Sequence, residues 1–260
     1  MCRRLASSEK LVASLPDECA GGWRAAYNQS FIGRSADLRA VTPYKNLWSE
    51  IMSQMTKTQA CRIIHNCAIA YRDNLANRNV LFIAERDGRH DYFEALFLTS
   101  NYQHLTGAGT KTAMTANAFF NRATDNRITE NELMFSEDGT TRMKLEVLPT
   151  LMKIHYIARM VGNYDKSGNL LMADKIAGTT TAAMGFVKDG QYYYPNSALK
   201  TDVKAISEKP FLKVSAVFIK DIGEERYSNI TFTAKGMNIY DIARRSGVCD
   251  IVTIPPLPDN

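Results

Sequence analysis

One short segment of the chain combines side chains that are able to do acid–base chemistry. Residues Asn101–Gly107 read Asn-Tyr-Gln-His-Leu-Thr-Gly, which places His104 two residues before Thr106. Imidazole changes its charge near neutral pH, so histidine is the side chain most readily used as a general acid or base. Two interpretations stay open at this point. Either His104 takes part in catalysis, or it hydrogen-bonds locally and shapes the turn that Gly107 closes.

The flanking sequence predicts that this segment is a loop between two regular elements. A strand-like run, Tyr92–Leu98, precedes it, and a helix predicted over Thr112–Asn126 follows it. A loop held by two rigid elements is a common place from which side chains reach a partner.

Apolar spacing along the rest of the chain predicts an α+β fold. Helical spacing runs from Pro43 to about Asn77 and again over Arg142–Gly162, where Pro149 is expected in a first turn. A short helix is expected over Ser197–Ser207, and another over Met237–Arg245. Strands are predicted at Asn79–Ala84, Asp91–Thr99, Leu170–Ala177, Ala182–Lys188, Gln191–Tyr194, Phe211–Ile219 and Tyr227–Thr233. The pair Asp189-Gly190 between two apolar runs predicts a hairpin. We therefore expect a helical N-terminal half followed by a mostly antiparallel sheet of four or five strands.

This pattern divides the chain into three predicted parts. Residues 1–78 form a helical N-terminal extension or cap, residues 79–236 form the α+β domain, and residues 237–260 form a C-terminal helix and tail. The role of the N-terminal part stays open, and it is a possible contact for a protein partner.

Composition excludes several classes of protein. The net charge of +5 is compatible with nucleic-acid binding without requiring it. The five cysteines are scattered without a Cys-x-x-Cys pair, so we expect free thiols and no metal site. Nucleotide-binding glycine motifs and a His-Glu-x-x-His pair are missing, so no cofactor is expected.

No apolar run is long enough to span a bilayer, so the sequence predicts a soluble, cytoplasmic protein without membrane contact.

Several patches, in this order along the chain, are similar to a known family. They are Phe97-x-x-Ser100-Asn101-Tyr102-x-His104-Leu105-Thr106-Gly107, Phe119-Phe120, Lys144-Leu145, Tyr194-Pro195-Asn196-Ser197-x-Leu199-Lys200-x-Asp202, Lys209-Pro210-Phe211-x-Lys213-Val214-x-Ala216-Val217-Phe218-x-Lys220 and Tyr227-x-x-Ile230-x-Phe232. Together they resemble a phage-associated branch of the barnase–EndoU–colicin–RelE nuclease superfamily, over roughly residues 80–236. The most specific patches are His-Leu-Thr-Gly and Pro-Asn-Ser-x-Leu-Lys.

The resemblance implies a barnase/RelE-like fold and metal-independent cleavage of RNA, as in toxins and mobile elements. In that chemistry the ribose 2′-hydroxyl attacks the adjacent phosphate, which requires a base, an acid and a cation. The residues of this chain that suit those roles are His104 as base or acid, Thr106, and Lys220 as the cation, for which Lys200 and Lys144 are the other candidates. Thr106 would bond a phosphate oxygen, although capping of the following turn explains it nearly as well. The candidate substrate-binding residues are Lys144, Asn196, Lys200, Lys213 and Tyr193.

A second function is compatible with the same residues. A clear acid–base partner for His104 is missing from the sequence, since His90 follows a charged turn and His155 lies on a predicted helix. In this second interpretation, the chain is a catalytically inactive binding or inhibitor protein on the same fold. Such a protein engages a nucleic acid, or a protein such as an antidote, through residues 1–78.

Overall fold

The computed structural model of the protein describes residues 55–168 and 171–254. Most of the predicted N-terminal helical region, and the end of the C-terminal tail, lie outside the described residues. The division into three parts stays a prediction. Elements are numbered below in chain order within the described part.

The longest described helix, α1 (Lys57–Asn74), begins where the sequence provides a reciprocal cap. The Thr56 hydroxyl accepts from the backbone N–H of Gln59, and the Gln59 side chain accepts from the N–H of Thr56. The other helices are α2 (Asn101–Thr106), α3 (Ala116–Thr124), α4 (Thr140–Leu151), α5 (Ile154–Ile157), α6 (Val203–Ile206) and α7 (Ile239–Arg245). None of the described helices is both long and apolar enough to cross a membrane.

Ten strands lie between and after these helices. They are β1 (Arg78–Arg86), β2 (Arg89–Phe97), β3 (Gly109–Thr110), β4 (Leu133–Met134), β5 (Met160–Asn163), β6 (Lys175–Gly178), β7 (Ala183–Asp189), β8 (Tyr192–Leu199), β9 (Leu212–Asp221) and β10 (Asn229–Thr233). The hairpin predicted at Asp189-Gly190 joins β7 to β8, with Asp189 opposite Tyr192. Gly190 has a φ of 59°, which suits a tight two-residue turn.

Strand pairing closes most of the sheet into a ring. The order is β1-β2-β8-β7-β6-β5-β9-β10. Strand β9 also pairs with β1, from Lys213 to Asp221 on β9. The opposite side of β9 is shared between β5, near Leu212, and β10, near Phe218. Seven strands therefore form a closed circuit, with β10 added beside β5.

The two faces of this ring have different partners. The inner face carries Phe82, Phe93 and Phe186, whose rings lie 4.9–6.1 Å apart from strand to strand. These rings belong to one large core together with α1 to α4. The outer face of β1 and β9 is covered by α7 and the segment after it, through Ile242 and Val248. These two sides are called the inner face and the outer face.

The fold corrects part of the sequence prediction. The sheet has eight strands rather than four or five, and the described part is not divided into a helical half and a strand half, because β1 and β2 precede α2 to α5. The helix expected over residues 197–207 begins at Val203, because β8 continues to Leu199. Pro149 lies near the C-terminal end of α4 instead of in a first turn.

One ion pair crosses the inside of the ring near the end that carries the β1–β2 turn. Lys175 on β6 pairs with Asp91 on β2, although β8 and β7 lie between these two strands in the sheet. The Lys175 side chain is 12 % exposed and that of Asp91 is 42 % exposed. The lysine therefore depends on this carboxylate for compensation of its charge.

We predict that Asp91→Asn destabilises the protein by about 2–3 kcal/mol, because it leaves a largely buried ammonium without its carboxylate. Lys175→Met should cost less, since water still reaches Asp91. The free energy of unfolding in urea measures both. Lys200→Met, which removes the exposed Lys200–Glu146 pair, is the control and should change stability by less than about 0.5 kcal/mol. An Asp91→Asn effect no larger than that control would contradict the assigned role of the pair.

Candidate active site

The conspicuous histidine lies in a short helix rather than in the predicted loop. Helix α2 carries His104 and ends at Gly107, which has a φ of 62°. The N–H of Gly107 donates to the carbonyl oxygens of Gln103 and His104, which closes the helix. The sequence Leu-Thr-Gly therefore ends a helical turn, and the left-handed position is occupied by the residue type that adopts it without strain.

Lys144 from α4 lies directly over this helix end. Its Nζ donates a hydrogen bond of 2.9 Å to the carbonyl oxygen of His104. A Cβ atom at Gly107 would lie 2.7 Å from Cδ of Lys144, so the glycine leaves the space through which the lysine passes. The Thr141 hydroxyl, one turn earlier on α4, donates to the carbonyl oxygen of Gly107 at 2.6 Å. Helices α2 and α4 are thus joined by two hydrogen bonds around Gly107.

The electrostatics of this contact favour an uncharged imidazole and an unusually acidic ammonium. Burial lowers the pKa of Lys144 to about 8, and the nearby Asp138 carboxylate opposes part of this shift. The pKa of His104 is lowered by burial and then by the charge of Lys144. Burial raises the pKa of Asp138, but hydrogen bonds from Thr140 and Ser136 and the charge of Lys144 outweigh it, so the net shift is downward.

Asp138 is fixed at the beginning of α4. Its Oδ1 accepts from the backbone N–H of Thr140 at 2.9 Å and from the Thr140 hydroxyl at 2.6 Å. The group formed by His104, Lys144 and Asp138, with Gly107 between the helices, is called the α2–α4 group below. The ammonium lies on the backbone carbonyl of His104, and its charge acts on the imidazole and on the Asp138 carboxylate. Groups of these three kinds are the ones that proton transfer and phosphate binding require.

Thr106 has a structural contact instead of a free hydroxyl. The residue is fully buried, its hydroxyl donates to the carbonyl oxygen of Gln103 at 2.7 Å, and it accepts from the N–H of Ala108 at 3.1 Å. These bonds favour the capping interpretation over the phosphate contact.

Two of the predicted substrate-binding residues, Asn196 and Lys200, lie at the C-terminal end of β8 or directly after it. Lys200 follows β8 and pairs with Glu146, which is on the same helix as Lys144. Asn196 donates to the carbonyl oxygen of Met172 at 3.0 Å. The α2–α4 group and β8 are neighbours, since α2 and α4 both pack against this strand.

The other three predicted residues, which have different surroundings, are Tyr193 on β8 and Lys213 and Lys220 on β9. Tyr193 faces the inside of the ring, where its ring contacts Phe93 edge to face. Lys213 is exposed on the outer face of β9. Lys220 also lies on the outer face, with Nζ 3.1 Å from the carbonyl oxygen of Glu225 and 4.5 Å from the centre of the Tyr227 ring. The structure therefore does not bring Lys220 to His104.

Asp138 is a site residue that the sequence patterns did not single out. An Asp-Gly pair directly before a predicted helix was the available signal, because a carboxylate is favourable near the N-terminus of a helix. Across residues 55–168 and 171–254, the structure has no group of three His, Cys, Asp or Glu side chains placed to hold a metal ion.

Comparison with known proteins identifies one family. The family model described as phage-Barnase-EndoU-ColicinE5/D-RelE like nuclease4 matches residues 63–236. This match confirms the resemblance found in the sequence, and it begins earlier than residue 80, within α1. Neither the curated proteins nor the solved structures include a match to this chain.

We predict that Gly107→Ala costs more stability than an ordinary glycine substitution at positive φ. The control is Gly236→Ala, because Gly236 has a φ of 79° and a Cβ there would meet nothing within 4 Å. Both variants should lose about 1–2 kcal/mol from backbone strain. Gly107→Ala should lose about 1 kcal/mol more, because Lys144 must move.

Urea unfolding of both variants, alone and combined with Lys144→Ala, measures this difference. The excess cost of Gly107→Ala should disappear in the Lys144→Ala background, which removes the atom that clashes. An excess that persists there would show that Lys144 does not cause it.

Proposed function

Because the chain belongs to the phage-Barnase-EndoU-ColicinE5/D-RelE like nuclease4 family, we propose that it cleaves RNA without a metal ion. The reaction is attack of a ribose 2′-hydroxyl on the neighbouring phosphate, in a phage or mobile element that uses the protein as a toxin or in defence or counter-defence. The observation that carries the proposal is the α2–α4 group, where Lys144 Nζ lies on the carbonyl of His104 and both side chains have lowered pKa values.

His104 is the proposed base. Its lowered pKa leaves the imidazole neutral at pH 7, so it is able to take the proton from the 2′-hydroxyl. The 2′-oxygen then forms a bond to phosphorus while the bond from phosphorus to the 5′-oxygen breaks. The products are a 2′,3′-cyclic phosphate and a free 5′-hydroxyl.

Lys144 is the proposed cation and acid. An ammonium has three protons, of which one is donated to the His104 carbonyl, so the others are available for the phosphate and the leaving 5′-oxygen. A pKa of about 8 makes this ammonium a stronger acid than an ordinary lysine while it stays mostly charged at pH 7. Asp138 acts through Lys144 as a positioning residue, because it favours the charged form of the lysine.

Lys200 and Asn196 are the proposed contacts for RNA next to the cleaved bond, since β8 adjoins both helices of the α2–α4 group. Tyr193, Lys213 and Lys220 lie away from the group and are assigned no step in the reaction. Thr106 is assigned the structural role that its hydrogen bonds indicate.

The second candidate function is an inactive binding protein on the same fold. It is favoured by the engagement of the Thr106 hydroxyl and by the distant position of Lys220, which leave fewer catalytic groups than the sequence analysis expected. A salt titration separates the partners of such a protein. Affinity for nucleic acid falls steeply with salt, whereas a flat response indicates a protein partner.

We predict that the purified full-length protein cleaves mixed RNA in the presence of EDTA and leaves cyclic phosphate ends. His104→Gln should lower the rate about a hundredfold or more, because the base is lost. His65→Gln is the matched control, since His65 on α1 bonds the carbonyl of Ala123 outside the α2–α4 group and should leave the rate unchanged. Equal rates for the two variants would reject His104, and intact RNA with a folded protein would favour the binding function.

We also predict a bell-shaped dependence of the rate on pH. The rate should rise with pH as His104 loses its proton below its ordinary pKa of 6.5, and fall above about pH 8 as Lys144 becomes neutral. Lys144→Arg keeps a charge that does not titrate, so its slower reaction should show no fall near pH 8. An alkaline limb that is identical in Lys144→Arg would contradict the assignment of Lys144.

A further inference from the structure

A row of ionisable side chains crosses the outer face of three neighbouring strands. In the strand register, His90 on β2 is opposite Glu85 on β1, and Glu85 is opposite Lys213 on β9. Their neighbours Ile83 and Ala216 belong to the core on the outer side, whereas Ala84 and Val214 belong to the inner core. Alternation along the strands therefore places all three side chains of the row on the outer face.

Helix α7 adds a fourth group to this row. Arg245 NH2 lies 3.6 Å from Glu85 Oε2, and His90 Nδ1 lies 3.3 Å from the same oxygen. Glu85 Oε2 and His90 Nδ1 are both buried and have no aligned hydrogen bond. The Glu85 carboxylate is thus the anion around which the imidazole and the guanidinium are placed, with 17 % of its side chain exposed.

The charge of the row matches an anionic partner. Lys213 is exposed and forms no ion pair with the described residues, and 45 % of the Arg245 side chain is exposed. The single carboxylate of Glu85 therefore faces two permanent cations and an imidazole, so the row has an excess of positive charge. A partner with closely spaced phosphates supplies the complementary charge.

An exposed aromatic residue continues the row along β2. Tyr92 is 42 % exposed and lies two residues from His90, on the same face of the strand. Exposed aromatic rings beside cations are the combination that binds single-stranded nucleic acid, because the base stacks on the ring while the cations contact the backbone.

We propose that Tyr92, Lys213 and Arg245 form a second RNA-binding site on the outer face of the sheet, separate from the α2–α4 group. Phosphates of a single strand contact Lys213 and Arg245, a base stacks on Tyr92, and Glu85 positions Arg245. This inference rests on the proposed function, since RNA is the assumed substrate. The second site would hold a part of the RNA that is distant from the cleaved bond, on the side of the sheet that α7 borders.

The test uses the full chain with His104→Gln, so that binding is measured without cleavage. A fluorescein-labelled single-stranded RNA of about twelve nucleotides is titrated in EDTA by fluorescence anisotropy, over a series of salt concentrations. Lys213→Gln and Arg245→Gln should each weaken binding several-fold and lower the slope of log affinity against log salt by about one. Tyr92→Ala should weaken binding about fivefold or more, with the slope unchanged.

Arg62→Gln is the matched control, because Arg62 is an exposed cation on α1, away from the outer face. Lys213→Arg keeps the positive charge, so its slope of log affinity against log salt should equal that of the parent. A variant that had lost its fold would not show this recovery. If Lys213→Gln and Arg245→Gln behave like Arg62→Gln while the parent binds RNA, the second site is rejected and the nuclease proposal stands. If the parent binds no RNA, the second site is overturned, and cleavage by the unmutated chain then decides the proposed function by itself.

Discussion

Closure of the sheet through β9 is the constraint on which the rest of the described structure depends. Because β9 pairs with β1 on one side and with β5 and β10 on the other, seven strands enclose a common interior. Phenylalanine rings and the core-facing sides of α1 to α4 fill that interior, and burial of rings of this size is a major source of stability. The α2–α4 group lies outside this packed region, where two helices meet, and the row around Glu85 lies on the outer face of the strands.

The contact between α2 and α4 shows how a small backbone feature sets the electrostatics of a candidate site. Gly107 lets the helix turn end in a left-handed conformation and also lets Lys144 pass within a distance that a Cβ atom would block. The lysine is consequently desolvated and lies next to the helix end that carries His104. Its charge in turn helps to keep the imidazole neutral. Base and acid then coexist at neutral pH, which is the condition for proton transfer in both directions.

The sequence was informative where the signal is local. The β7–β8 hairpin follows from Asp189-Gly190, and the family resemblance follows from short patches that occur in order between Phe97 and Phe232. The size of the sheet was underestimated because the ring depends on pairings between distant segments, such as β9 with β1, which no local pattern reports. The same limit applies to the α2–α4 group. Lys144 is forty residues from His104, so its depressed pKa arises from tertiary packing that spacing does not reveal.

The titration of the Lys144 amine tests the central claim most directly, since the proposed chemistry depends on a desolvated ammonium beside His104. Selective labelling of lysine side chains, with assignment by Lys144→Arg, allows the amine to be followed by NMR from pH 6 to 11. The structure predicts a pKa of about 8, well below the ordinary value of 10.5. A Lys144 amine that titrates at the ordinary value would show that the lysine is hydrated and away from the helix end, and would contradict the account of the site.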